Sequence, residues 1–392
     1  MTNNSLGRKL QTLETAIGVS LGYYLEAIAE DIRKVKNDGG NRHYVEPKKD
    51  YPPIAPATSP ILPLRDMPPP RMGFGLGGGG RKLTAHAGVL KFAEEAFSIH
   101  EIDYPIELAL ISAGAIDGTL YLTLKQDYLA HPNRLKPSQR LEQIILENQH
   151  IFRLSASSFN RMEGIVHRKI IEEFLKKMLD YRTFNDIPNL YIIAHNSTTG
   201  ENIVFGEVKK DYPVWKATMA SIAWQPWIKG VEDPEGYLID GGTLRATPLN
   251  ELYSHTYLTH RVIVFLGMHR DGPQQNGKDS AKGGPIQRLA QKVHAYEERG
   301  AEQHSSRETY DFKRDLRDHD CMPLGDVLEG RQRNLTVIAP WHRHVPFLAR
   351  GLPLELIDIG YAEAKAAFER YFRHHPEEEA NFRRLGISSS FQ

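Results

Sequence analysis

A chain of 392 residues, 40% of them hydrophobic and 25% charged, has the length of one large domain or two ordinary ones and the composition of a globular protein. Lys plus Arg equals Asp plus Glu at 49 each, which excludes a chain built mainly to neutralise a phosphate backbone, so no nucleic-acid partner is expected. A single cysteine, Cys321, excludes a disulfide framework and a Cys-based zinc site, and no apolar run reaches the roughly 18–20 residues that span a bilayer.

From the N-terminus, Leu10, Leu13, Ile17, Leu21, Tyr24, Ile28 and Ile32 recur at spacings of three and four and line one face of a helix. Asp38-Gly39-Gly40 ends it. Arg8 and Lys9 before the apolar stretch Ala16 to Leu25 have the order of a secretory signal, but Glu14 and Glu26 bracket that stretch and argue against it. A cytoplasmic location is the expectation. Residues 1–45 are read as an amphipathic helical extension. It docks on the main domain, with a homodimer contact or a membrane-surface contact as the alternatives. Residues 46–70, with Pro47, Pro52, Pro53, Pro56, Pro60, Pro63, Pro68, Pro69 and Pro70, are a Pro-rich linker, because prolines at this density allow neither a helix nor an interior strand.

A glycine run, Met72 to Lys82, leads into a helical pattern through Ile99. Ile106 to Ile111 reads as a buried strand, and a helix follows Ser112 to about Tyr128. Residues 137–182 are mostly helical, with a break at 148–158. Leu190 to Ala194 and Ile203 to Phe205 are strands joined by the turn at 197–201. Leu238-Ile239 is a short strand ending at Asp240, and Arg261 to Leu266 is another buried one. Residues 269–285 are a loop, and 286–319 a charged helical stretch. Leu335 to Ala339 is the last strand, Leu354 to Phe372 a helix interrupted near Gly360, and 374–392 a polar, frayed tail. Strands alternating with helices predict an α/β fold, a mostly parallel sheet covered on both faces.

Chemistry concentrates at three places. Ser112 stands at a sharp strand-to-helix turn, and Ala113, Gly114 and Ala115 follow it. A nucleophile elbow needs such small residues around an exposed hydroxyl. By itself the stretch reads equally as a turn with a serine N-cap. The glycine run contains Gly73-x-Gly75-x-x-Gly78 and Gly75-x-Gly77-x-x-Gly80, which would suit a dinucleotide, but no acid stands at the end of the next strand to hold a ribose. The same run suits an oxyanion hole, since glycine amides approach a developing negative charge closely. On that reading Ser112 has a partner, and on the nucleotide reading it has none. Third, Tyr237 to Thr243 places Asp240 at a strand end before two glycines. No histidine stands out as a base and there is no His-Glu-x-x-His. A buried carboxylate with a raised pKa can take the serine proton itself.

Together these pieces resemble the patatin-like phospholipase family. Gly78-Gly79-Gly80-Arg81-Lys82 followed by Gly88-Val89-Leu90 matches the family's glycine motif, Ser112-Ala113-Gly114-Ala115 most of its Gly-x-Ser-x-Gly, and Asp240-Gly241-Gly242 with Pro248 its Asp-Gly-Gly. Ala194-His195-Asn196 and Ala220-Ser221-Ile222-Ala223-Trp224-Gln225-Pro226 are similar to two intervening family segments. The resemblance covers roughly residues 71–373, read as the catalytic domain. It implies a three-layer patatin-like sandwich and lipid acyl hydrolysis of phospholipase A or lysophospholipase type. The mechanism implied is a serine acyl-enzyme without metal or diffusible cofactor. Ser112 would be the nucleophile and Asp240 the base. The amides of Gly78, Gly79, Gly80, Arg81 and Ala113 would form the oxyanion hole. Lys82 would steer a head group, and Trp224 and Trp227 would line the acyl site at a transient membrane contact. Leu110 stands where the family's elbow has its first glycine, and a bulky residue there costs about 1–3 kcal/mol unless a neighbour has shrunk. That departure keeps a second reading open, a patatin-like regulatory or lipid-binding protein with a weak dyad.

Overall fold

The stretch Ile106–Ile111 is buried at every position, and a strand without a solvent face needs cover on both sides. The computed structural model describes residues 71–101, 106–149, 151, 168–224, 228–267, 307–340 and 352–383, all within the compact unit Pro63–Gln392. In chain order its elements are β1 (Met72–Leu76), a 3-10 turn (Gly80–Leu83), α1 (Thr84–Phe97), β2 (Ile106–Ile111), α2 (Ala113–Ala130), α3 (Pro137–Glu147) and α4 (Arg168–Leu179). Then come β3 (Leu190–Asn196), β4 (Glu201–Phe205), α5 (Val214–Ser221), β5 (Val231–Asp233), β6 (Gly236–Asp240), a second 3-10 turn (Gly241–Thr243), α6 (Leu249–Ser254) and β7 (His260–Val264). The last part holds α7 (307–318), α8 (Leu324–Leu328), β8 (Leu335–Ile338), α9 (Glu355–His374) and α10 (Pro376–Arg383). The N-terminal helix with its homodimer contact, the Pro-rich linker, the 269–285 loop, most of the 286–319 stretch and Trp227 lie outside the described residues.

Among the described residues the sheet has eight strands. Its centre, β3-β2-β1-β7-β8, is parallel, and β4, β5 and β6 add an antiparallel end. Successive residues of a strand point to opposite faces. Leu108 and Leu110 therefore join Val262 and Val264 in a large core under α1 to α5 and α9. Ala109 joins Ile263, Leu335 and Val337 in a smaller core under α6, α7 and α8. The expected mixed α/β fold, a mostly parallel sheet flanked by helices, is what the chain adopts. Strand β5 has three residues, too few for alternation to reveal it in a sequence.

The pairing of β3 brings distant segments together. Strand β2 pairs with β3 through Ile111↔Ile193, and β4 pairs with β3 over Ile192 to Asn196. A strand has two edges, so β4 holds the edge opposite β2. Strand β6 pairs with Ala194 to Asn196, where β4 already occupies one edge, so β6 lies on the edge that β2 uses. β2 and β6 therefore approach end to end along β3. The last residue of β2 sits opposite Ile193, and Asp240, the last of β6, opposite Ala194. Ser112 follows directly on that junction.

Two expectations are corrected. Helix α9 runs unbroken through Gly360. A Cβ at Gly360 would lie 2.2 Å from the Ala85 carbonyl oxygen, and one at Gly88 would lie 1.9 Å from that of Ile357. These glycines let α1 and α9 cross in backbone contact, which local propensity does not reveal. Nor does the chain fray at His374. α10 buries Phe382 against Phe97, Phe372 and His260, and Arg333 holds Glu377 and Glu378 at 3.1 and 3.0 Å.

Candidate active site

The site is built where β1 and β2 end side by side. Parallel neighbours deliver their following loops to one rim of the sheet, the usual place for a ligand in such folds. β1 delivers the glycine run and β2 delivers Ser112. Ser112 has φ 53° and ψ −119°, a conformation that costs about 1–3 kcal/mol in a residue with a side chain. Its surroundings hold it there. The Ser112 amide donates to Ser221 Oγ at 2.9 Å, and that hydroxyl donates to the Ile193 carbonyl at 2.6 Å. Ser221, fully buried at the end of α5, thus ties the elbow to β3. The start of α2 packs against β1 because residue 114 is glycine; a Cβ there would stand 2.2 Å from the Leu76 carbonyl oxygen. Leu110 finds its space at Gly118, where a Cβ would meet Leu110 Cδ2 at 2.4 Å. One turn into α2, the neighbour has shrunk, and the bulk at position 110 is accommodated.

Asp240 meets Ser112 across the strand junction. Ser112 Oγ donates to Asp240 Oδ2 at 2.6 Å, and the Gly242 amide donates to Oδ1 at 2.7 Å. Asp240 is almost completely buried. Burial raises its pKa to about 7 against the opposing hydrogen bonds from Ser112 and Gly242, and the nearby Glu308 carboxylate adds to the rise. Half ionised near neutrality, such a carboxylate is matched to accepting a hydroxyl proton.

The glycine run lies over this pair. A Cβ on Gly78 would stand 3.6 Å from Ser112 Cβ, but the Gly78 amide donates to the Ala246 carbonyl at 3.0 Å. That corrects the inclusion of Gly78 among the free donors. Gly79, Gly80 and Arg81 are at the start of the first 3-10 turn and Ala113 at the start of α2, positions whose N–H groups a helix leaves without an internal acceptor. Gly80 has φ 55°, which suits glycine. Gly73 and Gly75 are inside β1, where a Cβ would strike Leu258 at 2.5 Å and Ile263 at 2.5 Å. They serve packing, and the nucleotide pattern loses its first glycines.

Lys82 is corrected as well. Its Nζ donates to the Leu266 carbonyl at 2.7 Å, and burial lowers its pKa, with Glu308 opposing the shift. It ties the glycine run to the segment after β7 instead of reaching out to a head group. Trp224 is half-buried, next to Ala223, whose carbonyl accepts from the Asp240 amide at 3.2 Å. Trp215 packs on the large core with Lys176 Nζ 4.3 Å above its ring. Among the described residues one group has metal-ligand chemistry, His375, Glu377 and Glu378, and Arg333 pairs with both of its carboxylates.

Sequence reasoning missed two residues. Ser221 carried a signal in the Ala-Ser-x-Ala stretch, but its role depends on a tertiary contact. Glu308, inside a charged stretch, carried none.

The fold and this seat define an α/β protein with a hydroxyl–carboxylate pair below glycine amides. Residues 76–253 match the family model described as patatin-like phospholipase. The chain is therefore similar to a patatin-like phospholipase domain over residues 76–253, less than half of its length. Among solved structures, VipD from Legionella pneumophila is similar at 12% identity and a TM-score of 0.39, covering 78% of this chain and 67% of that one. A likeness that distant adds nothing to the reading of the site. No curated protein matches. No helix among the described residues is long and apolar enough to cross a membrane.

Proposed function

We propose that the chain is a lipid acyl hydrolase of phospholipase A or lysophospholipase type, with Ser112 as nucleophile and Asp240 as base. The observation that carries this reading is the 2.6 Å hydrogen bond from Ser112 Oγ to Asp240 Oδ2, inside the matched domain. Ser112 Oγ attacks the ester carbonyl carbon as its proton passes to Asp240. The carbonyl oxygen, now negative, is stabilised by the amides of Gly79, Gly80, Arg81 and Ala113, each worth about 2.7–4 kcal/mol in such a site. The carbon–oxygen bond to the glycerol side breaks, and the departing oxygen takes the proton from Asp240. A water then attacks the acyl-enzyme, gives a proton to Asp240, and the acid leaves as Ser112 regains its own. Residues 71–373 are the catalytic unit in this reading, and it works in the cytoplasm, at a membrane surface only while it engages substrate.

The test is release of fatty acid and lysolipid from mixed phosphatidylcholine–phosphatidylethanolamine vesicles by the full chain. The reading expects release that Ser112→Ala lowers at least about 10³-fold. Release equal in both proteins contradicts it. The alternative, a regulatory or lipid-binding protein with a weak dyad, is motivated by Leu110, and the space that Gly118 leaves for the Leu110 side chain favours the hydrolase.

A further inference from the structure

Helix α7 turns one side to the smaller core and the opposite side to solvent. Phe312, Asp315 and Leu316 are buried, and the Phe312 ring meets that of Phe265 at 4.8 Å between centroids. Residues three and four apart share a face of a helix. Tyr310, Lys313 and Arg317 therefore form one stripe, and all three are exposed, Tyr310 to 65%. Arg307 and Arg314 flank the stripe and have acids of their own: Asp311 lies 3.8 Å from Arg307 and 3.2 Å from Arg314, and Asp315 lies 3.5 Å from Arg314. Among the described residues Lys313 and Arg317 have no such acid. Asp318, the last residue of the helix, and Asp320 come after the stripe. In a chain whose cations and anions balance, this is a local excess of positive charge beside an exposed tyrosine. The helix is fastened to the catalytic loop. Arg307 Nη2 donates to the Thr243 carbonyl at 3.3 Å, on the turn that follows Asp240, and the next residue, Leu244, is 39% exposed.

We propose that Tyr310, Lys313 and Arg317 form a docking face for an anionic lipid bilayer, with Leu244 entering the interface beside the Ser112–Asp240 pair. The choice of occupant rests on the reading of that pair as a lipid acyl hydrolase. Each cation held at an anionic leaflet strengthens attachment about fivefold, and the effect fades within a Debye length. A tyrosine suits the head-group level, where its ring is in an apolar layer and its hydroxyl in water. A leucine adds apolar area that a bilayer can bury. A polyanion without an apolar layer would use the same two cations and leave Leu244 and the Tyr310 ring in water, so the mixed chemistry of the face fits a bilayer better.

The experiment is flotation of the full chain carrying Ser112→Ala, which leaves the lipids intact, with vesicles of phosphatidylcholine alone and with vesicles one-third phosphatidylglycerol. The expected result is binding at least about tenfold tighter to the anionic vesicles at about 0.1 M salt. Adding Lys313→Gln and Arg317→Gln together is expected to remove at least about tenfold of that binding, and adding Leu244→Ser and Tyr310→Ser to weaken it further. With Ser112 restored, the double Gln variant is expected to match the parent in thermal unfolding and in turnover of a soluble short-chain p-nitrophenyl ester. Equal binding to both vesicle types, binding unchanged in the double Gln variant, or binding to duplex DNA as tight as to anionic vesicles overturns the proposal. So does a double Gln variant that unfolds early, since its loss would then belong to the fold. A parent that turns over neither ester nor lipid defeats the hydrolase reading, and flotation still decides on the face, which makes the two failures distinguishable.

Discussion

At the scale of single residues, two groups decide what Ser112 can do. Asp240 must be ionised to accept a proton, and its pKa stands at about 7. kcat/KM is therefore expected to fall tenfold per pH unit below about 7 and to level off above it; a profile flat down to pH 5 would contradict the role. The same burial has a stability consequence. The unfolded chain ionises this carboxyl near 3.9 in water, so above pH 7 the folded protein carries a buried charge at a cost. Asp240→Asn is expected to abolish turnover and to raise stability by about 1–4 kcal/mol at pH 8, read by denaturant unfolding. Ser221 acts through the backbone. Ser221→Ala leaves the Ser112 amide without its acceptor and is expected to cost about 1–3 kcal/mol of stability, with kcat falling more than KM changes because the elbow loosens. Unchanged kcat in a folded Ser221→Ala protein would remove Ser221 from the account.

At the scale of elements, glycines decide which segments may touch. Gly118 and Leu110 form one unit, a small residue on α2 and a large one on β2 that fill the same space. Gly118→Ala is expected to destabilise by about 1–3 kcal/mol through overpacking. Adding Leu110→Ala should then cost less than in the parent, and a double-mutant cycle reads this as coupling above about 0.5 kcal/mol. Strict additivity would mean the two do not share the space. Much at this scale was legible in the sequence. The apolar runs gave β2, β3, β7 and β8, and small residues after Ser112 gave the elbow, but β1 went unread inside the glycine run, because Gly73 and Gly75 interrupt its apolar residues. What was not legible depended on partners distant in the chain. Gly360 looks like a helix break until α1 is placed across it, and Phe382 looks like part of a polar tail until its aromatic neighbours are in view. Ser221 sits in a recognisable Ala-Ser-x-Ala stretch, yet its role depends on Ser112 and Ile193, both distant in the chain, and Glu308 has no local pattern at all.

At the scale of the whole molecule, the sheet fixes acid sensitivity as well as geometry. His260 on β7 lies among Phe368, Tyr371 and Phe382, and burial lowers its pKa to about 3. The unfolded chain takes up a proton near pH 6.5 that the folded one refuses. This contribution to stability is whole above about pH 6.5 and is lost as pH falls toward 3. His260→Phe keeps the aromatic packing and cannot protonate. Its stability relative to the parent is expected to improve by about 1.4 kcal/mol per pH unit on acidification through that window. Parallel stability curves for the two proteins would contradict it.

Everything in the account returns to the junction where β2 and β6 meet along β3 and place a hydroxyl beside a carboxylate. A fluorophosphonate probe applied to the full chain and read by peptide mass tests that junction most directly. The account predicts one adduct, on Ser112, formed readily at pH 8, at least about 10³-fold slower in Asp240→Asn and absent in Ser112→Ala. A folded parent that takes no label, or an adduct on a different serine, would contradict it.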